Sequence, residues 1–134
     1  MATPTAKPQK TVLIIDDQPF FITLQQTMLQ KQGYRVLAAS TGAEGLTKAT
    51  QHKPDLILLD VEMPGMDGIA VCEKLKQDEE LKKIPVIILT ATQSTKLNER
   101  AFQAGAEVTA MKSMAGERLL NMVRLIMDRR TPQA

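Results

Sequence analysis

The chain of 134 residues has very few of the side chains that form covalent cross-links or hold structural metals. It contains one cysteine and one histidine, and it has no tryptophan. One cysteine cannot form an internal disulfide, and together with one histidine it cannot complete a structural zinc site. A chain of this length corresponds to one domain, which can bury a core without a disulfide or a metal.

Long apolar runs and a large excess of one charge are also missing. No apolar run approaches the ~20 residues of a membrane-spanning helix, and residues 1–10 lack the apolar centre of a signal peptide. Seventeen Lys and Arg against 15 Asp and Glu leave a net charge of +2, which gives no electrostatic preference for nucleic acid or an anionic membrane. We therefore expect a cytoplasmic protein that binds neither directly.

Short apolar runs are the clearest secondary-structure signal that is present. The runs at 11–16, 55–60 and 85–90 do not alternate apolar with polar residues, so they predict strands buried on both faces, as in a parallel sheet. Two weaker candidates for strands are 34–38 and 107–112.

Amphipathic stretches between the runs predict five helices. In the first, Phe20, Leu24 and Met28 recur every four positions, with Phe21 and Leu29 alongside, and these residues predict its apolar face. In the last, the helical period places Leu125 outside the apolar arc. Strand and helix alternate five times, which predicts a single doubly wound α/β domain. The expected helices cover 18–32, a segment opening at 41–44, 67–79, 94–104 and 115–130.

The two ends of the chain differ in composition from its middle. Residues 1–9 are rich in Pro, Thr, Ala and Lys and predict a disordered tail. Residues 10–130 form the predicted domain, and residues 131–134 are interpreted as a C-terminal tail or the start of a truncated linker.

Polar side chains stand at the carboxyl ends of four predicted strands, the edge at which open α/β sheets bind ligands. They are Asp16 and Asp17, Asp60, Thr90 and Lys112. Each alone has a structural interpretation: Asp17 as a helix N-cap, Asp60 as a turn residue, Thr90 as a strand residue and Lys112 as a solvated charge. Their joint position at one edge favours a shared site.

Three carboxylates in one pocket repel one another, so a cation has to offset their charge. Mg²⁺ prefers carboxylate, carbonyl and water oxygens, and the pattern therefore predicts a Mg²⁺ site with Lys112 as a second positive charge. Mg²⁺, a lysine and a threonine hydroxyl together suit a phosphoryl group. A carboxylate beside them can attack phosphorus and become an aspartyl phosphate.

With these residues the chain resembles a response-regulator receiver domain, the phospho-acceptor module of two-component signalling, over about residues 10–130. The most specific segment is 60–68, DVEMPGMDG, and the acidic pair at 16–17, Thr90 and Lys112 stand in register with it. The resemblance, which is to chemotaxis-type receivers, implies a flavodoxin-like fold. That fold is a five-stranded parallel sheet of order 2-1-3-4-5 with five helices.

The resemblance also implies a role for each site residue. Asp60 would accept the phosphoryl group, Lys112 would pair with one of its oxygens, and Thr90 would reorient toward it and start a conformational switch. Mg²⁺ would be bound by Asp16, Asp17, Asp60 and the backbone carbonyl of Glu62. A histidine kinase or histidine phosphotransfer protein would donate the group, and an unknown downstream protein or output domain would read the switch. The chain would catalyse only its own phosphorylation and dephosphorylation.

Two positions depart from the family pattern. The family has proline after the lysine, with a cis peptide between them, whereas here Ser113 follows Lys112. Because a cis bond before a non-proline costs about 2.5–4 kcal/mol, we predict a trans bond and a displaced loop before the fifth helix. Thr109 stands where the family has tyrosine or phenylalanine. We therefore expect coupling from Asp60 to the fourth helix, the fifth strand and the fifth helix to be weaker or to use other side chains.

Two other functions remain open. Ser113 and Thr109 are compatible with a phosphorylation-independent interaction module on the same fold, although the site residues are all present. A metal-dependent phosphatase acting on small substrates is the other possibility. Such enzymes with an aspartyl nucleophile carry a second aspartate two residues later, where this chain has Glu62.

Overall fold

The computed structural model describes residues 9–92, 94–114 and 116–129. Most of the predicted N-terminal tail, the segment 131–134 and the expected helix ends at Ala115 and Arg130 lie outside these ranges. None of the described helices has both the length and the apolarity needed to cross a membrane. The elements are β1 (Thr11–Ile15), α1 (Pro19–Lys31), β2 (Arg35–Ala39), α2 (Gly42–His52), β3 (Leu56–Asp60), α3 (Gly68–Gln77), β4 (Val86–Thr90), α4 (Thr95–Gln103), β5 (Val108–Met111), a short 3₁₀ turn (Lys112–Met114) and α5 (Glu117–Arg129).

The five strands form one parallel sheet in the order β2-β1-β3-β4-β5, which confirms the expected fold. Strand β1 lies between its two neighbours, so that Ile14 is beside Ala38 on one side and Leu58 on the other. Strands β1, β3 and β4 are buried along their whole length. This burial agrees with the apolar runs that predicted them, because both faces of each strand are covered by helices.

Helices cover both faces of the sheet, and each face has its own apolar core. Because successive strand residues point to opposite faces, Val12 and Ile14 of β1 enter one core and Leu13 and Ile15 enter the other. Helices α1 and α5 close the first core, and α2, α3 and α4 close the second. The domain is therefore doubly wound, as the alternating elements predicted.

Helix α1 buries only part of the apolar face that the sequence predicted. Leu29 is buried and Met28 packs against the core. Phe20 is 72% exposed and Leu24 is 43% exposed, whereas the polar Gln25 is buried. The helix carries more than one row of apolar residues, and its position over the sheet decides which row is covered. In α5 the prediction is confirmed, since Leu125 is 67% exposed and its apolar neighbours on the arc pack into the core.

Side-chain caps define the starts of three helices at the positions that the sequence indicated. The Thr41 hydroxyl accepts a hydrogen bond from the Glu44 N–H, and the side chains of Asp67 and Ser94 cap α3 and α4 in the same way. Gly105 follows α4 with a φ of +99°, a left-handed conformation that favours glycine. These local signals explain why the helix starts were predictable to within a few residues.

Lys53, which follows α2, has a left-handed backbone conformation with φ 45° and ψ 66°. Among the described residues it is the one non-glycine residue with a positive φ. This conformation is costly for a residue with a β-carbon. We therefore expect the free energy of unfolding of Lys53→Gly to exceed that of Lys53→Ala by about 0.5–1 kcal/mol. Urea unfolding measures the difference. Both variants lose the exposed ion pair between Lys53 and Glu80, so that loss cancels in the comparison. Equal free energies of unfolding for the two variants would contradict a cost from the left-handed backbone.

Candidate functional site

Two neighbouring strands bring the predicted carboxylates together. In the register of β1 and β3, Ile15 lies beside Leu59, so the residues that follow, Asp16 and Asp60, come side by side. Both are 1% exposed. With Asp17 they place one carboxylate oxygen each within 4.8 Å of one another, which is the cluster that the strand ends predicted.

Lys112 supplies the positive charge inside this cluster. It follows β5, and its side chain is 7% exposed. Its Nζ lies 3.0 Å from Asp16 Oδ2 and 3.2 Å from Asp60 Oδ2. One ammonium facing three carboxylates leaves the pocket with an excess of negative charge.

Helix α1 adds two contacts to Lys112 that the sequence did not reveal. The Nζ donates a hydrogen bond to Gln18 Oε1 at 2.5 Å, and it lies 4.4 Å from the centre of the Phe21 ring, a cation–π distance. The Gln18 N–H in turn donates to Asp16 Oδ1, and Gln18, not Asp17, is the N-cap residue of α1. Gln18 and Phe21 are three residues apart, which places them on one side of the first helical turn. This spacing is the sequence feature that could have predicted the two contacts.

Thr90 ends β4, and its hydroxyl is turned toward the side chain of Glu62. The hydroxyl oxygen lies 2.9 Å from Glu62 Oε2 and 2.8 Å from the carbonyl oxygen of Thr92. The other oxygen of the same carboxylate, Oε1, accepts from the Ala91 N–H at 3.2 Å. The sequence had suggested a role for Glu62 through its backbone carbonyl alone, so this side-chain contact was missed.

The electrostatics of Asp60 are unusual for an aspartate. Burial is the main cause that raises the pKa of Asp60 to about 7, and the negative charge of Asp16 adds to it while Lys112 opposes it. Apart from the ion pairs with Lys112, both oxygens of Asp60 and Oδ2 of Asp16 are buried and accept no hydrogen bond from the described residues. Buried carboxylate oxygens with so few donors, gathered in one place, fit the ligand preferences of Mg²⁺.

The turn after Asp60 requires glycine at its end. A β-carbon on Gly68 would lie 2.2 Å from the carbonyl oxygen of Asp60, and the Gly68 N–H donates to the carbonyl of Val61. The start of α3 thus passes directly against the backbone of the Asp60 strand end. This close approach explains why the segment that begins at Asp60 ends in glycine.

The two departures from the family pattern have clear structural outcomes. No peptide bond among the described residues is cis, so the bond between Lys112 and Ser113 is trans, as predicted. The loop displacement expected with it stays a prediction. Thr109, on β5, has its hydroxyl oxygen 2.9 Å from Asn98 Oδ1 on α4. This hydrogen bond joins β5 to α4 at the position where the family places an aromatic ring.

Comparison with known proteins agrees with this geometry. The sequence model of the response regulator receiver domain matches residues 12–124. The chain belongs to the response-regulator receiver domain family. Receiver domains are signalling modules of two-component systems that work with histidine kinases or phosphotransfer proteins and with output domains. They typically bind Mg²⁺ at an acidic pocket, and here such a pocket contains Asp16, Asp17 and Asp60.

Individual relatives of this receiver domain differ in length. It is 39% identical over 125 residues to the DNA-binding dual master transcriptional regulator RpaA of Synechocystis, an alignment that covers 92% of the chain and 52% of RpaA. The chain thus spans about half the length of that relative. It is 35% identical to the polar-differentiation response regulator DivK of Brucella ovis, covering 86% of the chain and 94% of DivK.

Solved structures of receivers have the same fold. The chemotaxis protein CheY4 of Vibrio cholerae superposes with a TM-score of 0.85 at 28% identity, covering 89% of this chain and 99% of CheY4. A putative response regulator from Chloroflexus aurantiacus gives a TM-score of 0.86 at 30% identity, covering 91% of this chain and all of that one.

The raised pKa of Asp60 predicts how stability depends on pH. Between about pH 4 and pH 7 the folded receiver keeps a proton on Asp60 that the unfolded chain has released, so its stability falls as the pH rises through this range. Without Mg²⁺, we expect Asp60→Asn to be more stable than the native receiver at pH 8 by on the order of 2 kcal/mol. The gain should shrink toward pH 4.

Urea unfolding in the presence of a chelator, at several pH values, measures this dependence. Asp128→Asn, at an exposed position on α5, is the matched control and should show little change. A gain for Asp60→Asn of the same size at pH 4 and pH 8 would contradict the assignment.

Proposed function

We propose that this receiver takes a phosphoryl group on Asp60 from the phosphohistidine of a histidine kinase or phosphotransfer protein. One observation carries the proposal: the carboxylate of Asp60 is buried, and its charged partner among the described residues is the Lys112 ammonium, 3.2 Å away. A buried carboxylate in this environment can bind a cation or act as a nucleophile that forms a covalent bond. The matched family supports the same role.

In the proposed step, an oxygen of Asp60 attacks the phosphorus of the donor. A phosphorus–oxygen bond forms, the phosphorus–nitrogen bond to the donor imidazole breaks, and its electron pair stays on the nitrogen. Lys112 stabilises the charge on the phosphoryl oxygens from within ion-pair distance of Asp60. Water later attacks the same phosphorus, which returns the free carboxylate and releases phosphate.

Mg²⁺ would be held by the carboxylates of Asp16, Asp17 and Asp60 and by the backbone carbonyl of Glu62. When bound, it would supply two positive charges against the oxygens of the phosphoryl group. The three carboxylates support this assignment by their proximity. The part of the Glu62 carbonyl rests on the family resemblance.

Intact mass after incubation with acetyl phosphate and Mg²⁺ tests the acceptor. We expect the native receiver and Asp128→Asn to gain one phosphoryl group, Asp60→Asn to gain none, and a chelator to abolish the gain. A gain by Asp60→Asn would contradict the choice of nucleophile. No gain by the native chain, under conditions that label an ordinary receiver, would favour the phosphorylation-independent interaction module instead.

We further propose that phosphorylation of Asp60 changes a partner-binding surface. We expect Thr109 to weaken the coupling between Asp60 and the surface formed by α4, β5 and α5. The side chain of Thr109 has no ring to move, and its hydroxyl contacts Asn98 on α4. We therefore expect beryllofluoride, a phosphoryl mimic, to change amide shifts in α4, β5 and α5 less in the native receiver than in Thr109→Phe. Thr109→Val, which lacks both hydroxyl and ring, is the control. Equally large changes in the native receiver and Thr109→Phe would contradict this expectation.

A further inference from the structure

We propose that the side chain of Glu62 is a built-in competitor of the phosphoryl group. In the resting receiver its carboxylate holds the two donors that a phosphoryl group on Asp60 would take, and it has to leave before they become available. The inference rests on the proposed function of Asp60, and it concerns how readily that function is exercised.

The contact has the form of an anion-binding site. The two oxygens of the Glu62 carboxylate each meet one donor, the Thr90 hydroxyl at 2.9 Å and the Ala91 N–H at 3.2 Å. A hydroxyl and a backbone N–H that converge on a two-oxygen anion are also the kind of donors that stabilise phosphoryl oxygens. In the unphosphorylated receiver the Glu62 carboxylate therefore occupies the donors that a phosphoryl group would use.

The position of these donors relates them to Asp60. Strand β4 pairs with β3 so that Leu89 lies beside Asp60, and Thr90 and Ala91 follow Leu89 directly at the same edge of the sheet. The negative charge of Glu62 is also among the influences that raise the pKa of Asp60, so the two carboxylates are within electrostatic reach. A phosphoryl group added to Asp60 meets the like charge of Glu62 beside it.

The donors cannot serve both anions at once. The Thr90 hydroxyl has one proton, and its acceptors in the turn are Glu62 and the carbonyl of Thr92. Its oxygen also accepts from the Thr92 N–H at 3.3 Å. To donate to a phosphoryl oxygen, the Thr90 hydroxyl has to turn its one proton away from both Glu62 and the Thr92 carbonyl.

Glu62 can be displaced because it is exposed. Its carboxylate regains hydration when it turns outward, so the competition costs little more than the two hydrogen bonds themselves. Substituting the side chain leaves the backbone carbonyl in place, which keeps the proposed Mg²⁺ ligands intact. The side chain can therefore be tested separately from the metal site.

Two measurements on Glu62→Ala, Glu62→Gln and the charge-matched control Glu73→Ala test the proposal. The first is the amide shift of Ala91 in the receiver without Mg²⁺ or any phosphoryl donor. Glu62→Ala should move it upfield because the hydrogen bond to the carboxylate is lost, while Glu73→Ala, at an exposed position on α3, should leave it in place. This readout does not depend on phosphorylation.

The second measurement is the affinity for beryllofluoride with saturating Mg²⁺. We expect Glu62→Ala to bind about three- to tenfold more tightly than the native receiver, and Glu62→Gln to lie between them because its amide keeps one acceptor oxygen. Phosphorylation by acetyl phosphate should accelerate in the same order. Glu73→Ala should match the native receiver in both.

The outcomes separate this proposal from the proposed function. If the native receiver binds beryllofluoride and Glu62→Ala binds no more tightly, or if the Ala91 amide stays in place, the competition is overturned and the acceptor function stands. If neither the native receiver nor any variant binds beryllofluoride or gains mass, the acceptor function itself fails, and the competition fails with it.

Discussion

Two buried carboxylates side by side are the constraint on which the rest of this site depends. Asp16 and Asp60 end adjacent parallel strands, and their charges repel in a pocket from which water is largely excluded. Lys112, 96 residues after Asp16, is hydrogen-bonded to it and offsets part of that repulsion. Removing the lysine would leave the two buried carboxylates without their cation, and breaking a buried ion pair in this way is strongly destabilising.

The remaining negative charge is what makes the pocket chemically useful. A pKa of about 7 for Asp60 means that a proton can relieve the repulsion between the carboxylates, and a divalent cation bound there would do the same. Lys112 is held by Gln18 and Phe21 from α1, and Thr90 is hydrogen-bonded to Glu62, so both side chains already have partners within the receiver.

The fold itself was largely predictable. Uninterrupted apolar runs identified β1, β3 and β4 because a strand covered on both faces has little room for polar side chains. The weaker runs at β2 and β5 belong to strands that are less buried. The predicted helix starts at Thr41, Asp67 and Ser94 coincide with side chains that cap the first turn of their helices. The apolar face of α1 was predicted wrongly at Phe20 and Leu24. Helical spacing shows which residues share a face, but only the sheet beneath shows which face is covered.

The sequence by itself determined the alternation of strands and helices that makes a parallel sheet. It also determined the acidic residues and the lysine at the strand ends, and the trans bond after Lys112. These follow from local preferences and from the rule that parallel strands end at one edge. Only the tertiary structure decided which partners the side chains choose: Glu62 for Thr90, Gln18 and Phe21 for Lys112, and Asn98 for Thr109. Such contacts join residues far apart in the chain, and their distances depend on how helices pack on the sheet, which no local pattern encodes.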